Sequence, residues 1–106
     1  MHVVLCNCSP RQSQAIARRV VEERLAACVN VLSGVTSYYL WEGALEADTE
    51  DTLLIKVARD RVGALSARLR ELHDYDTPEI LVLPVDLEQS DRAYVDWVRH
   101  VSGGAS

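Results

Sequence analysis

Lysine is almost missing from this chain. Its 106 residues hold one, Lys56, beside ten dispersed arginines. Sixteen acidic residues outnumber the eleven basic ones and leave a formal charge of −5. A nucleic-acid surface needs clustered Lys and Arg to meet phosphates, so the composition speaks against nucleic acid as a partner. No run approaches the roughly 20 apolar residues of a membrane helix. The start, MHVVLCN, lacks a basic leader and its apolar run is short for a signal peptide, so a cytoplasmic protein without a membrane partner is expected. Cysteine is sparse and odd in number, three in all, which fits poorly with a disulfide framework. Cys6 and Cys8 stand one residue apart, and in a strand their Cα atoms lie near the upper limit for a bridge. Also missing are a Gly-rich phosphate loop, G-x-S-x-G and C-x-x-C. With no nucleophile and base to pair, the chain is not expected to be an enzyme.

What is present builds one domain. An apolar content of 48% is that of an ordinary globular protein, placed over residues 1–101 with a disordered tail at 102–106. Residues 3–7, VVLCN, read as a short strand. Ser9 is placed as a helix N-cap, Pro10 as the first helical residue and Gln12 as the return partner of a capping box. The helix then runs to about Ala26. Ile16, Ala17, Val20, Val21 and Leu25 share one stripe, and Arg18–Glu22 and Arg19–Glu23 pair on the other side.

Cys28 opens a second strand, bent at Ser33-Gly34 and resumed through VTSYYLW. Glu42-Gly43 makes the turn, and the acidic stretch Glu46 to Asp51 leads back into TLLIKVA. The two strands form a long hairpin. Asp60 is placed as the cap of a second helix, with Val62, Leu65, Leu69 and Leu72 on its apolar face and its end near His73. Residues 79–83, EILVL, read as a buried strand. Ser90 or Asp91 opens a last helix with Tyr94, Trp97, Val98 and Val101 on one side.

The order predicts an α+β fold, a ferredoxin-like β-α-β-β-α-β arrangement with a long central hairpin and an added C-terminal helix. Its helices cover one face of the sheet and leave the other open. Sizeable apolar groups lie on both sides of the hairpin, so another copy of the chain is expected to bury them.

The stretches VVEERLAACVNVLSGVTSYYLWEG, LLIKV, ELHDYDTPEILVLPV and AYVDWV resemble, in order and spacing, the CutA divalent-cation tolerance family, over about residues 15–99. The resemblance implies a tight cytosolic homotrimer related to the PII signalling proteins, and binding of copper(II) or another divalent cation without an organic cofactor. It makes His73 the first candidate metal ligand, since imidazole suits Cu(II) and Zn(II). A helix-terminal histidine answering the helix dipole is the simpler reading. Leu72 stands where relatives can carry a second histidine, and Asp74 stands in place of the usual proline and could itself offer an oxygen.

The family's other implied ligand is a cysteine at the end of strand one. Without a gap its position falls on Leu5; with a one-residue deletion in the following loop it falls on Cys6. Cys6 is therefore the candidate partner of His73, contingent on register, while Cys28 reads as core packing. By the same resemblance Tyr39, Trp41, Glu42, Lys56, Tyr75 and Glu79 lie near a groove between subunits. That groove could take a small ligand, with Lys56 supplying charge and the aromatics supplying walls. The plainer reading is an inter-subunit ion pair of Lys56 with a residue such as Glu79. The run Glu46 to Asp51 lacks the spacing of a calcium loop and reads as a solvated hairpin end. Two functions follow, a metal-binding tolerance protein and a PII-like trimeric module that binds a small ligand or a protein.

Overall fold

In the computed structural model, which describes residues 1–103, β1 (His2–Cys8) is followed by α1 (Ser13–Glu22), β2 (Cys28–Trp41) and β3 (Ala44–Val57). A 3-10 turn, Arg59–Arg61, leads into α2 (Val62–Leu72), then β4 (Glu79–Pro84) and α3 (Arg92–Ser102). The sheet order is β2-β3-β1-β4 and each neighbouring pair is antiparallel. The mixed α+β fold with its four-stranded sheet and β-α-β-β-α-β order agrees with the periodicity of the sequence.

Alternation along β1 decides what the sheet does with its two faces. Val4, Cys6 and Cys8 point to the helices and pack with Leu53, Ile55 and Val57 of β3, Ile16, Ala17 and Val20 of α1, and Leu65 and Leu69 of α2. Fully burying such side chains contributes about 1.5–3 kcal/mol each. Val3, Leu5 and Asn7 point the other way. In register with them on this outer face are Lys56, Leu54 and Thr52, and then Leu83, Leu81 and Glu79.

The long hairpin forms as expected. Its turn has Glu42 at φ 50° and Gly43 at φ 82°, the paired left-handed conformations of a type I′ turn whose twist suits the flanking strands. The bend at Ser33-Gly34 is a bulge, with the register shifting between Leu32 and Val35 and Gly34 at φ 73°. Asp51 holds that bulge. Its buried carboxylate accepts the Gly34 N–H at 3.0 Å and the Ser13 hydroxyl at 2.6 Å, so one side chain ties β2 to the start of α1.

Several local expectations are corrected. The first helix ends at Glu22 rather than near Ala26. Arg24 adopts φ 58°, its N–H reaches the Val21 carbonyl (3.0 Å), and the Leu25 N–H reaches the Val20 carbonyl (3.0 Å). This is a Schellman ending with arginine where glycine is usual. At the other end residues 10–12 form a turn, and Ser9 Oγ accepts the Arg11 N–H (3.3 Å) instead of capping a helix that begins at Pro10. Gln12 closes no capping box; its amide spans to α2, donating to the Leu72 carbonyl (3.2 Å) and accepting the Asp74 N–H (3.3 Å).

Asp60 lies within the 3-10 turn, and Arg61, not Asp60, occupies the cap position of α2. The β4 run is an edge strand with Leu81, Val82 and Leu83 each about half exposed, not a buried one. In α3 the buried side is Val95, Val98 and Ser102, while Tyr94 and Trp97 face outward with ring centroids 5.7 Å apart. Ser102 belongs to the fold, not to a tail: its hydroxyl accepts the Ala58 N–H (2.9 Å) and donates to the Val98 carbonyl (2.7 Å). Gly103 is the C-cap of α3, and residues 104–106 of the expected tail lie outside the described residues.

Candidate functional site

On the outer face beyond the bulge, the register pairs Val35 with Glu50, Ser37 with Asp48, Tyr39 with Glu46 and Trp41 with Ala44. Side chains two apart in a strand share a face. The acidic stretch therefore lays Glu46, Asp48 and Glu50 beside Tyr39 and Trp41. The loop after α2 brings Tyr75, Asp76 and Thr77 against them, and the eight residues line a cleft of about 630 Å³. Four carboxylates meet three aromatic rings in it.

The phenols are tied to the acids. Tyr39 donates its hydroxyl to Asp48, and this bond, with the surrounding carboxylates, pushes the phenol up to about 12. Tyr75 is likewise pushed up to about 12, first by burial and then by Glu50, with which it also shares a hydrogen bond. Both phenols thus stay protonated donors that orient the carboxylates, and the side-chain atoms in the cleft able to ligate a cation are oxygens. Three of the groove residues expected from the sequence, Tyr39, Trp41 and Tyr75, come together here. Sequence reasoning missed Glu46, Asp48, Glu50 and Asp76 as their companions; the alternation of acids at 46, 48 and 50 was the available signal.

The other groove residues lie elsewhere. Glu42 sits in the hairpin turn. Lys56 is in register with Val3 and Cys28, whereas Glu79 pairs with Asn7, four residues further along β1. At about 3.3 Å per residue that separates them by roughly 13 Å, too far for an ion pair within one protomer. The Lys56 ammonium donates instead to the Asn30 side-chain oxygen and to the Leu54 carbonyl.

His73 and Cys6 converge on one atom, the backbone oxygen of Asn7 in β1. The His73 side chain is buried; its Nδ1 accepts the Tyr75 N–H (3.1 Å), which places the proton of the neutral ring on Nε2. That Nε2–H donates to the Asn7 carbonyl (2.6 Å), and the Cys6 thiol approaches the same oxygen at 3.9 Å. Burial, helped by Cys8 and nearby carboxylates, pushes the Cys6 thiol up to about 12, so it is held as a thiol in the core. Cys8 is pushed up to about 11, again by burial first and then by Asp51. Of the two register options for the cysteine position, Cys6 faces inward and Leu5 outward. Among the described residues no three His, Cys, Asp or Glu side chains close a metal site by themselves.

Residues 2–101 match the family described as CutA1 divalent ion tolerance protein. The chain is similar to the divalent-cation tolerance protein CutA of Thermus thermophilus, 42% identical over 95 residues and covering 90% of each chain. It is 44% identical over 94 residues to the protein CutA of Homo sapiens, covering 89% of this chain and 51% of the human one. Among solved structures it is similar to the PII-like protein CutA from Nostoc sp. PCC 7120 in apo form, with a TM-score of 0.92 and 39% identity over 96% of this chain and 97% of that one.

Proposed function

Because the chain belongs to the CutA1 divalent ion tolerance family, we propose that it binds divalent cations, copper(II) among them, in the acidic cleft of the outer face. It does so as a cytoplasmic homotrimer that performs no turnover. The observation that carries this reading is the donor set, with Glu46, Asp48, Glu50 and Asp76 in one concavity. Oxygen donors suit divalent cations, and among first-row ions an oxygen or nitrogen site holds Cu(II) most tightly. Water completes the shell of an ion held by few carboxylates.

Calorimetric titration with Mn²⁺ and Cu²⁺ tests it. The double variant Asp48→Asn/Glu50→Gln is expected to lose roughly tenfold or more in affinity, about 1.4 kcal/mol, while His73→Ala binds as the parent does. The reverse pattern would move the ion to the Cys6–His73 pair beside the Asn7 carbonyl and sink the cleft assignment.

Two exposed surfaces support self-association. Leu81 and Leu83 lie open on the outer face, and at the hairpin tip Tyr38, Leu40 and Leu45 are each 70% exposed or more. A second copy of the chain covers such surfaces at least cost in specificity. Light scattering after gel filtration is expected to give three times the 11.8 kDa chain mass. A monomer peak would overturn the assembly.

The aromatic walls favour a second reading, a PII-like module that holds a small organic ligand between subunits. Such a ligand would stack on Trp41 and quench its fluorescence without any added metal.

A further inference from the structure

At the opposite end of the sheet a second concavity, of about 850 Å³, opens between the 3-10 turn and the end of α3. Its charged lining is Arg59, Arg99 and His100 with Asp60 and Asp96. Arginines scattered through the sequence meet here, 40 residues apart in the chain (59 to 99).

A basic residue in the last turn of a helix ordinarily serves the helix carbonyls. That work is already done by other groups. The Arg99 carbonyl accepts the Gly103 N–H (2.8 Å), the Val98 carbonyl accepts the Ser102 hydroxyl (2.7 Å), and the Ser102 carbonyl accepts the Arg61 Nε–H (3.0 Å). Among the described residues neither the Arg59 nor the Arg99 guanidinium makes a hydrogen bond or an ion pair. Asp96 lies 3.9 Å from Arg92 and, with Asp60, sets two carboxylates on the rim that partly offset the cations. At the start of β1, among the described residues, the Nδ1 of His2 is buried without a hydrogen-bond partner. Burial first, and then the positive charge of the Met1 amino group and of Arg59, hold the His2 imidazole below its ordinary range.

We propose that this concavity is an anion site for a phosphate-bearing small molecule, with the Arg59 and Arg99 guanidiniums as its two forks. Each fork offers paired N–H donors that match phosphate oxygens, and a multivalent anion relieves the repulsion between the cations gathered there. The site is separate from the acidic cleft and opposite to it in charge.

The test is a titration with sodium pyrophosphate followed on the arginine Nε–H signals by NMR, with sodium chloride at matched ionic strength as the control. Saturable shifts of Arg59 and Arg99 are expected with pyrophosphate and not with chloride. Arg59→Gln and Arg99→Gln should each weaken binding roughly tenfold. Both side chains are exposed, so neither change threatens folding. Asp96→Asn should tighten binding by removing a like charge from the rim. Shifts that track ionic strength alone, or glutamine variants that bind as the parent does, would overturn the site.

Discussion

Replacing Asp51 with alanine is expected to lower stability by about 3 kcal/mol, the sum of two hydrogen bonds to a charged acceptor. The carboxylate is 5% exposed and joins the bulge of β2 to the start of α1. In the variant Ser13 can still turn to the Pro10 carbonyl, 3.4 Å away, but the Gly34 N–H at the bulge loses its acceptor. Asp51→Asn keeps one acceptor oxygen and should recover part of the loss. Urea denaturation at one protein concentration measures both. A loss below 1 kcal/mol for alanine would show that the bulge and the helix start hold without the clamp.

The second large effect is alkaline. The Cys6 thiol is raised from 9.0 to about 12 in the folded chain. A group whose folded pKa lies above its unfolded value stabilises fully below the unfolded value and loses that contribution as pH rises through the folded one. Stability is therefore expected to fall between about pH 9 and pH 12, by on the order of 4 kcal/mol from Cys6 alone. Cys6→Ala fits the same site without overpacking and carries no titratable proton, so its stability profile, whatever its offset, should be flatter over that window. Equal slopes for parent and variant would remove Cys6 as the source. The same chemistry predicts that iodoacetamide modifies partly exposed Cys28 while Cys6 and Cys8 stay intact at pH 8.

Cys6 and Cys8, one residue apart, show what spacing alone leaves open. Cys6 and Cys8 share a face in any continuous strand, which leaves metal, redox and packing readings equally open. Only the placement of α1 and α2 over that face makes both of them core residues. His73 is similar. Its position at the end of a helix was legible from Asp74 to Pro78, yet its partner, the Asn7 carbonyl, is 66 residues away in the chain.

The acids of β3 carry the same lesson in reverse. Read alone, Glu46 to Asp51 is a solvated hairpin end; paired in register with Tyr39 and Trp41 and met by the Tyr75 loop, it becomes one wall of a cleft.

By itself the sequence determined the order of elements, the hairpin turn at Glu42-Gly43, a bend at Gly34 and the apolar faces of the first two helices. Each of these follows from a local period or from a residue suited to a left-handed backbone, information carried within a few positions. Tertiary structure alone decided that Asp51 clamps a bulge, that Cys6 and His73 share one carbonyl, that four carboxylates face three aromatic rings, and that Arg59 and Arg99 line one concavity. Those contacts depend on strand register and on how helices settle across the sheet. A change of one residue in register turns each side chain to the other face, and no local pattern records it.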